Sequence, residues 1–581
     1  MKNKQSFLKN ITNYRQLVEH IANSYTNQIA FRYKGKNNDK EITYIEKTYQ
    51  QFTKDIKSFA TSLLTRGFQG KRIAVIGNNR YEWCVTYLAV TCGNMVIVPL
   101  DKALPDNEIA SLIERSEAEA VVFDAKYTDI MQKLKENPQT ALHTLICMDE
   151  IENTLKDIQY FHNILQEGKE ELENGSLAYE NVKLEEKEMS IMLFTSGTTN
   201  MPKAVMLSQY NICSNFCAYY THFRLFPTDT LLSFLPIHHT FECSITFLYG
   251  IYCGVTIAFC DGLKYIQKNL KEYGVTVFVA VPLVMETMYK KIVKTIDEQG
   301  KTKLIHLISK ISNTLLKVHI DIRKSVFKQI LDNFGGKLRV VLYGGASIDK
   351  DTVIGLNNFG IQLIQGYGLT ETSPVIAAES ETRKKPGSVG YPLDNVEVKI
   401  ENLDIDGIGE IYAKGPNIML GYYHNEEKTK DVLVEGWFKT GDYGYFDKQG
   451  YLYITGRKND IIVLKNGKNV YPQEIEFLIN KLPYVEESLV YLNTEQTNNG
   501  LLSAKIVYNK DIMESLYKEK TIENYHNIIW EDIKETNKLL PTFKHIQSII
   551  ITSEPMIKTT TQKVKREEEL KRIHLTQNEK G

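Results

Sequence analysis

Ten residues, Phe194-Thr195-Ser196-Gly197-Thr198-Thr199-Asn200-Met201-Pro202-Lys203, follow the apolar run SIML directly and combine four hydroxyls and a glycine with one ammonium. Hydroxyls and a bare glycine backbone donate hydrogen bonds at close range, and Lys203 adds positive charge. That chemistry suits a grip on a polyphosphate by Thr195, Ser196, Gly197, Thr198, Thr199 and Lys203. The string is not the Walker pattern GxxxxGK[ST], so a P-loop NTPase fits poorly. The plain alternative is a solvated Ser/Thr/Gly turn.

Such a loop needs a rigid strand before it, and the flanking sequence supplies many. From Lys71 to Leu100 the chain reads as apolar strand, turn, amphipathic helix closed by Gly93, and second apolar strand, a βαβ unit. Short apolar runs at Val121, Ser190, Val277, Arg339 and Ile361 alternate with longer helical patterns. This predicts α/β architecture: a large N-terminal domain of parallel-rich sheets flanked by helices. After about residue 386 glycine-punctuated short strands predict a β-rich subdomain to residue 457, including a hairpin turning at Asp447 to Gly450. Residues 458–581 then predict a small α+β C-terminal domain, leaving 1–457 as the large one.

A chain of 581 residues with 43% hydrophobic and 24% charged side chains is globular and exceeds one core. Its net charge of -1 gives no field for steering nucleic acid, which is disfavoured as a partner. Eight cysteines, none in a CxxC pair, read as buried thiols in a reducing cytoplasm. The one-turn pair Cys213 and Cys217 reads as helix packing. The polar N-terminal stretch MKNKQSFLKNITNYRQ lacks the apolar centre of a signal peptide. Cys243 to Cys260, uncharged but broken by Gly250 and Gly254, predicts buried core rather than a membrane span. Peripheral contact with the inner membrane face stays open.

The loop 194–203 resembles the signature loop of the adenylate-forming superfamily, and further family motifs follow in order. The resemblance, nearest to bacterial long-chain fatty acid CoA ligases, covers about residues 20 to 570 and implies ATP, Mg²⁺ and coenzyme A as reactants or cofactors. It gives Gly344-Gly345-Ala346 to packing on adenine, and Gly366-Tyr367-Gly368-Leu369-Thr370-Glu371-Thr372 to the YGxTE segment: Tyr367 beside adenine, Thr370 at phosphate, Glu371 on magnesium. Thr440-Gly441-Asp442 resembles the TGD that accepts both ribose hydroxyls, with Arg457 its partner. Lys563, within Lys558 to Arg566, matches the catalytic lysine, an ammonium delivered where negative charge crowds. His239, in LPIHHTF, best matches a gate residue beside the substrate carboxylate, with His238 the alternative. Asn466 to Glu476 resembles the loop brought in for thioester formation, after rotation about a hinge at Asn459.

Asn200, Ala204, Gln209, Asn459 and Gln562 depart from the family pattern, none removing a reacting group. The helical insert between Pro282 and Gly344 implies an extra amphipathic pair, beside the acyl tunnel or as a surface packing insert. The expected function is AMP-forming activation of a carboxylic acid, in all expectation a fatty acid, and its transfer to coenzyme A. A ligase that loads an acyl carrier protein and a catalytically inactive nucleotide-binding module are the alternatives. Chain length of the acid and oligomeric state are not specified by sequence.

Overall fold

The computed structural model describes residues 10–36, 41–150, 157–195, 201–346, 348–464, 468–493, 500–517, 522–558 and 564–578. The chain forms two compact units. One holds Met1–Val398, Ala413–Phe438 and Lys448–Leu452; the other holds Lys399–Tyr412, Lys439–Asp447 and Tyr453–Gly581.

The first unit is built on two large sheets. In the eight-stranded sheet the order is Gly421–Tyr422, Lys203–Ser208, Met189–Thr195, Val96–Leu100, Arg72–Ile76, Ala120–Phe123, Thr144–Cys147, Ile158–Tyr160. Its six strands from Met189–Thr195 onward run parallel, and the first two close one edge antiparallel. The nine-stranded sheet runs Tyr391–Pro392, Val375–Ala378, Gln362–Gly368, Val340–Tyr343, Val277–Ala280, Thr230–Ser233, Thr256–Phe259, Ile29–Lys36, Ile42–Thr48. It too is parallel in its centre and antiparallel at both ends. Strands such as Val340–Tyr343 are apolar and buried along their whole length because helices cover both faces of a parallel sheet.

The βαβ unit forms as the sequence predicts, with one correction. Helix Tyr81–Cys92 buries every residue except Glu82, so it is enclosed rather than amphipathic. It lies between the sheet strands and helix Tyr49–Thr65, which leaves it no solvent face. The apolar run from Cys243 becomes the π-helix Glu242–Tyr249 and the buried strand Thr256–Phe259. Of the eight free thiols, Cys217 and Cys260 are half-exposed and the others buried. No helix among the described residues is long and apolar enough to cross a membrane.

The β-rich stretch forms a five-stranded sheet in which Trp437–Phe446 pairs with Leu452–Arg457, giving the expected hairpin. In the second unit the antiparallel strands Val485–Asn493 and Leu501–Tyr508 and the parallel strand Ser548–Thr552 make a three-stranded sheet. Helices Pro472–Ile479 and Ile522–Asn537 cover it around a core that includes Ile475, Ile479, Val490, Ile506 and Ile529.

Candidate active site

In the first unit the sequence-predicted residues gather beyond the carboxyl ends of parallel strands, where open α/β sheets bind ligands. Thr195 ends Met189–Thr195, Gly344 follows Val340–Tyr343, the glycine-tyrosine segment ends Gln362–Gly368, and the two histidines follow Thr230–Ser233. Thr195 and Lys203 face each other across the hairpin ladder. Ser196, Gly197, Thr198, Thr199 and Asn200 lie outside the described residues.

The Lys203 ammonium sits 5.2 Å from the centre of the Tyr422 ring. The Tyr422 hydroxyl donates to Glu371 Oε1 at 3.0 Å. Burial and the nearby Lys428 charge lower the Lys203 pKa, against an opposing pull from Glu371, and the ammonium has no ion pair among the described residues. Burial and the Glu371 charge hold the Tyr422 hydroxyl firmly protonated. A half-buried cation without an ion pair, next to a carboxylate that accepts only one hydrogen bond, both among the described residues, fits a polyphosphate accompanied by a hard divalent cation. Tyr422 carries no sequence signal beyond its place in a two-residue strand, where pairing with Val205 sets it against Lys203.

The turn bearing Glu371 is fixed on both sides. Thr372 Oγ1 accepts from the Leu369 N–H at 3.0 Å and donates to the Pro374 carbonyl at 2.5 Å. Asn417 donates to the Thr372 carbonyl at 2.9 Å, and the Met419 N–H donates to that of Glu371. A Cβ at Gly368 would lie 1.7 Å from the Pro374 carbonyl oxygen, so no larger residue fits there. Gly344 is buried, with a notional Cβ 3.0 Å from the Gly366 carbonyl oxygen and 3.4 Å from the Phe241 ring. Gly345 adopts φ +84°, and Ala346 is exposed beside it. Together these make a thin, close-packed wall, the surface a planar base requires. Tyr367 and Thr370 are half-buried at its edge.

His238, not His239, is the more buried histidine, and the rings lie 4.1 Å apart. His238 Nε2 is 3.6 Å from Asp101 Oδ2. Burial, the His239 charge and Lys102 push the His238 pKa well down, so it is neutral at pH 7. One ligand-capable atom of each of Asp101, His238 and His239 lies within 4.8 Å of the others. His238 also lines a small, mainly apolar cavity with Tyr87, Ile191, Leu193 and Cys243. Behind it, buried Glu242 accepts from Ser233 Oγ at 2.6 Å and from Thr246 Oγ1 at 3.0 Å, and burial raises its pKa to about 8. Sequence reasoning missed Asp101 and Glu242, because neither stands in a recognisable string.

In the second unit Asp442 is buried and pairs with Arg457 at 3.2 Å. Thr440 Oγ1 accepts from the Asp442 N–H and donates to the Ile411 carbonyl, which fixes the turn at Gly441 with φ +72°. Asn459 lies in the short turn Lys458–Asp460, beside an ion pair between Lys458 and buried Glu410 at 2.8 Å. Lys563 lies outside the described residues, as do Asn466 and Gly467, but the stem of its loop is well defined. Lys558 and Val564 bridge antiparallel, and the Lys565 N–H donates to the Ile557 carbonyl at 2.8 Å. Arg566 forms a 2.7 Å ion pair with Glu476 and donates to the Val490 carbonyl. Glu569, fully buried, pairs with Lys505 and accepts from the Ile557 N–H at 3.0 Å.

Of the departures, Gln209 has a structural task. It accepts from the Tyr14 N–H at 2.8 Å and donates to the Thr91 carbonyl at 2.9 Å, which docks the N-terminal helix. Ala204 is buried in the ladder opposite Phe194.

The "AMP-binding enzyme" family model matches residues 18–423, and its "AMP-binding enzyme C-terminal domain" counterpart matches 459–574. "Long-chain-fatty-acid--CoA ligase 5" of Rattus norvegicus is 29% identical over 570 residues, covering 90% of this chain and 82% of its own. The chloroplastic "Long-chain-fatty-acid--[acyl-carrier-protein] ligase AEE15" of Arabidopsis thaliana is 26% identical, covering 84% and 76%. Among solved structures, an anthranilate CoA ligase in complex with anthranoyl-AMP superposes with a TM-score of 0.78 at 17% identity, covering 99% of this chain and 100% of that one. On the match across 406 positions of its N-terminal part and the fold it shares, this chain belongs to the AMP-binding, adenylate-forming enzyme family.

Proposed function

We propose that this enzyme is an AMP-forming fatty acid CoA ligase. The observation that carries the reading is the Lys203, Tyr422 and Glu371 arrangement, a half-buried cation and a half-buried carboxylate joined by one aromatic ring. The two long-chain relatives support the acid class, and by name one is a ligase to CoA and the other to an acyl-carrier protein.

One carboxylate oxygen of the acid attacks the α-phosphorus of ATP, and the bond to pyrophosphate breaks. The thiol sulfur of coenzyme A, having lost its proton, then attacks the acyl carbon, and the bond to AMP breaks. Thr195, Ser196, Gly197, Thr198, Thr199 and Lys203 hold the leaving phosphates. The wall of Gly344, Gly345 and Ala346, with Gly366, Tyr367 and Gly368, holds adenine, and Thr370 meets phosphate. Asp442, oriented by Arg457, takes the ribose hydroxyls. Mg²⁺, when bound to Glu371, supplies neutralisation of phosphate charge. Lys563 stabilises charge as the carboxylate attacks, and His239 stands beside that carboxylate. Residues 458–581 act as the mobile domain that exchanges Lys563 for the loop at Asn466 to Glu476 in the second step. A place in the cytoplasm completes the reading. Transfer to an acyl carrier protein is the second reading, favoured by the Arabidopsis relative.

Acid-dependent exchange of pyrophosphate into ATP, run across a panel of acids on wild type and Lys563→Ala, tests the first step. AMP release with coenzyme A or a carrier protein added tests the second. Exchange with hexadecanoate that falls about a hundredfold or more in the variant, followed by coenzyme A turnover, is the expected outcome. Exchange without coenzyme A turnover transfers the acceptor to a carrier protein, and no exchange with any acid overturns the reading.

A further inference from the structure

Helix Asp106–Ser116 ends beside the phosphate-gripping string, and its last turn carries Arg115. A basic residue in that place ordinarily answers the carbonyls of its own helix end or a nearby carboxylate. Among the described residues Arg115 does neither. Its Nη2 donates at 2.7 Å to the Pro202 carbonyl, 87 positions away, and its guanidinium carbon sits 5.4 Å from the centre of the Phe194 ring. Phe194 immediately precedes Thr195, and Pro202 immediately precedes Lys203. One half-buried side chain therefore touches both ends of the string, each time one residue from Thr195 or Lys203, which face each other across the ladder.

The residue that closes the helix extends the hold to a further strand. Glu117, left-handed at φ +51°, accepts from the Tyr423 hydroxyl at 3.0 Å, lies 3.2 Å from His424 Nε2 and pairs with Arg72. The Tyr423 N–H donates to the Ala204 carbonyl at 2.8 Å, beside the pairing of Tyr422 with Val205. The end of one helix thus fixes both supports of the Lys203 ammonium: the backbone that leads into Lys203 and the strand that bears the Tyr422 ring. Arginine suits the first of these tasks better than lysine does. A guanidinium lies over an aromatic ring and donates from its edge at the same time, whereas an ammonium is a point charge on a flexible stem.

We infer that Arg115 is the positioning residue of the phosphate grip, acting through Phe194 and Pro202 to set Thr195 and Lys203 for the β- and γ-phosphates of ATP. The inference rests on the reading of residues 194–203 as a polyphosphate grip. AMP lacks those two phosphates, so it separates loss of the grip from loss of the site. Isothermal titration calorimetry with ATP and Mg²⁺, and with AMP, tests it on wild type, Arg115→Met and Arg115→Lys. Arg115→Met removes the charge and the donors, and should weaken ATP binding about tenfold or more while AMP binding changes less than about twofold. Arg115→Lys should recover part of the ATP affinity. Unchanged ATP affinity in Arg115→Met overturns the inference. So does an equal loss for AMP, which would mean that Arg115 supports the fold at large. Wild type that binds ATP no more tightly than AMP overturns the polyphosphate reading itself, and the inference with it.

Discussion

The arm that bears the phosphate-gripping string and the stem that bears the lysine loop are held by opposite means. The arm, Met189–Thr195 with Lys203–Ser208, is an antiparallel ladder, continuous from Ile191 to Thr195, whose Ile191, Met192, Val205 and Leu207 are wholly buried. Among the described residues, the stem from Ile557 to Glu569 has one isolated bridge and is held by Arg566 on Glu476, Lys505 on Glu569, and Lys558 on Glu487. Apolar burial and main-chain bonds respond little to pH or salt, whereas ion pairs lose strength as either partner is neutralised or screened. The contrast teaches that the arm is held regardless of the medium and the stem conditionally.

The hardest test of that contrast is Arg566→Ala. It strands Glu476 in a buried setting and should cost about 3–5 kcal/mol in the second unit, with pyrophosphate exchange down about tenfold or more. Differential scanning calorimetry with the exchange assay would show this; unchanged melting would mean the clasp is ornamental. Next comes Glu569→Gln. Burial alone would raise the Glu569 pKa, but the Lys505 hydrogen bond and the Ile557 N–H bring it below the ordinary 4.5. A depressed carboxylate gives stability that is full above about pH 4.5 and lost as pH falls through the folded value. The variant should therefore be less stable than wild type at pH 7, with the gap closing on acidification below about pH 4.5, read from urea midpoints across pH.

In the arm, Ile191→Val should cost only about 0.5–1.5 kcal/mol and by the same amount at low and high salt, because it removes one methylene from a dry ladder. A salt-dependent cost there would break the comparison. A comparably small effect belongs to Tyr422→Phe, which keeps the ring beside Lys203 but removes the hydrogen bond to Glu371. About 1 kcal/mol, or roughly a fivefold fall in exchange that excess magnesium restores, is expected from steady-state kinetics.

Much of the fold was legible because its signals are local. Buried parallel strands announce themselves as unbroken apolar runs, and the hydroxyl string at Thr195 states its chemistry without a partner. What escaped depends on contacts between distant positions. Tyr422 matters only because a two-residue strand pairs with Val205, and Arg566 finds Glu476 ninety positions back. Periodicity identified the helices at Tyr81 and Thr302 but not their surroundings. The first proved enclosed on all sides, and the second packs Ile305, Ile308, Ser309 and Ser312 inward while Leu304, Leu307 and Ile311 stay exposed. An amphipathic pattern gives two faces and does not say which one the body covers.

The strand order of the nine-stranded sheet carries a consequence for synthesis. Phe31 sits opposite Ile257, so the strand Ile29–Lys36 waits for a neighbour encoded more than two hundred codons later. At about 5–20 residues per second a nascent chain spends roughly ten to forty seconds with that edge open. Its other neighbour, Ile42–Thr48, emerges at once and pairs with it antiparallel, leaving a hairpin whose second edge stays open until Thr256–Phe259 arrives. Chaperone demand during translation should therefore concentrate on the first third of the message rather than on the larger remainder.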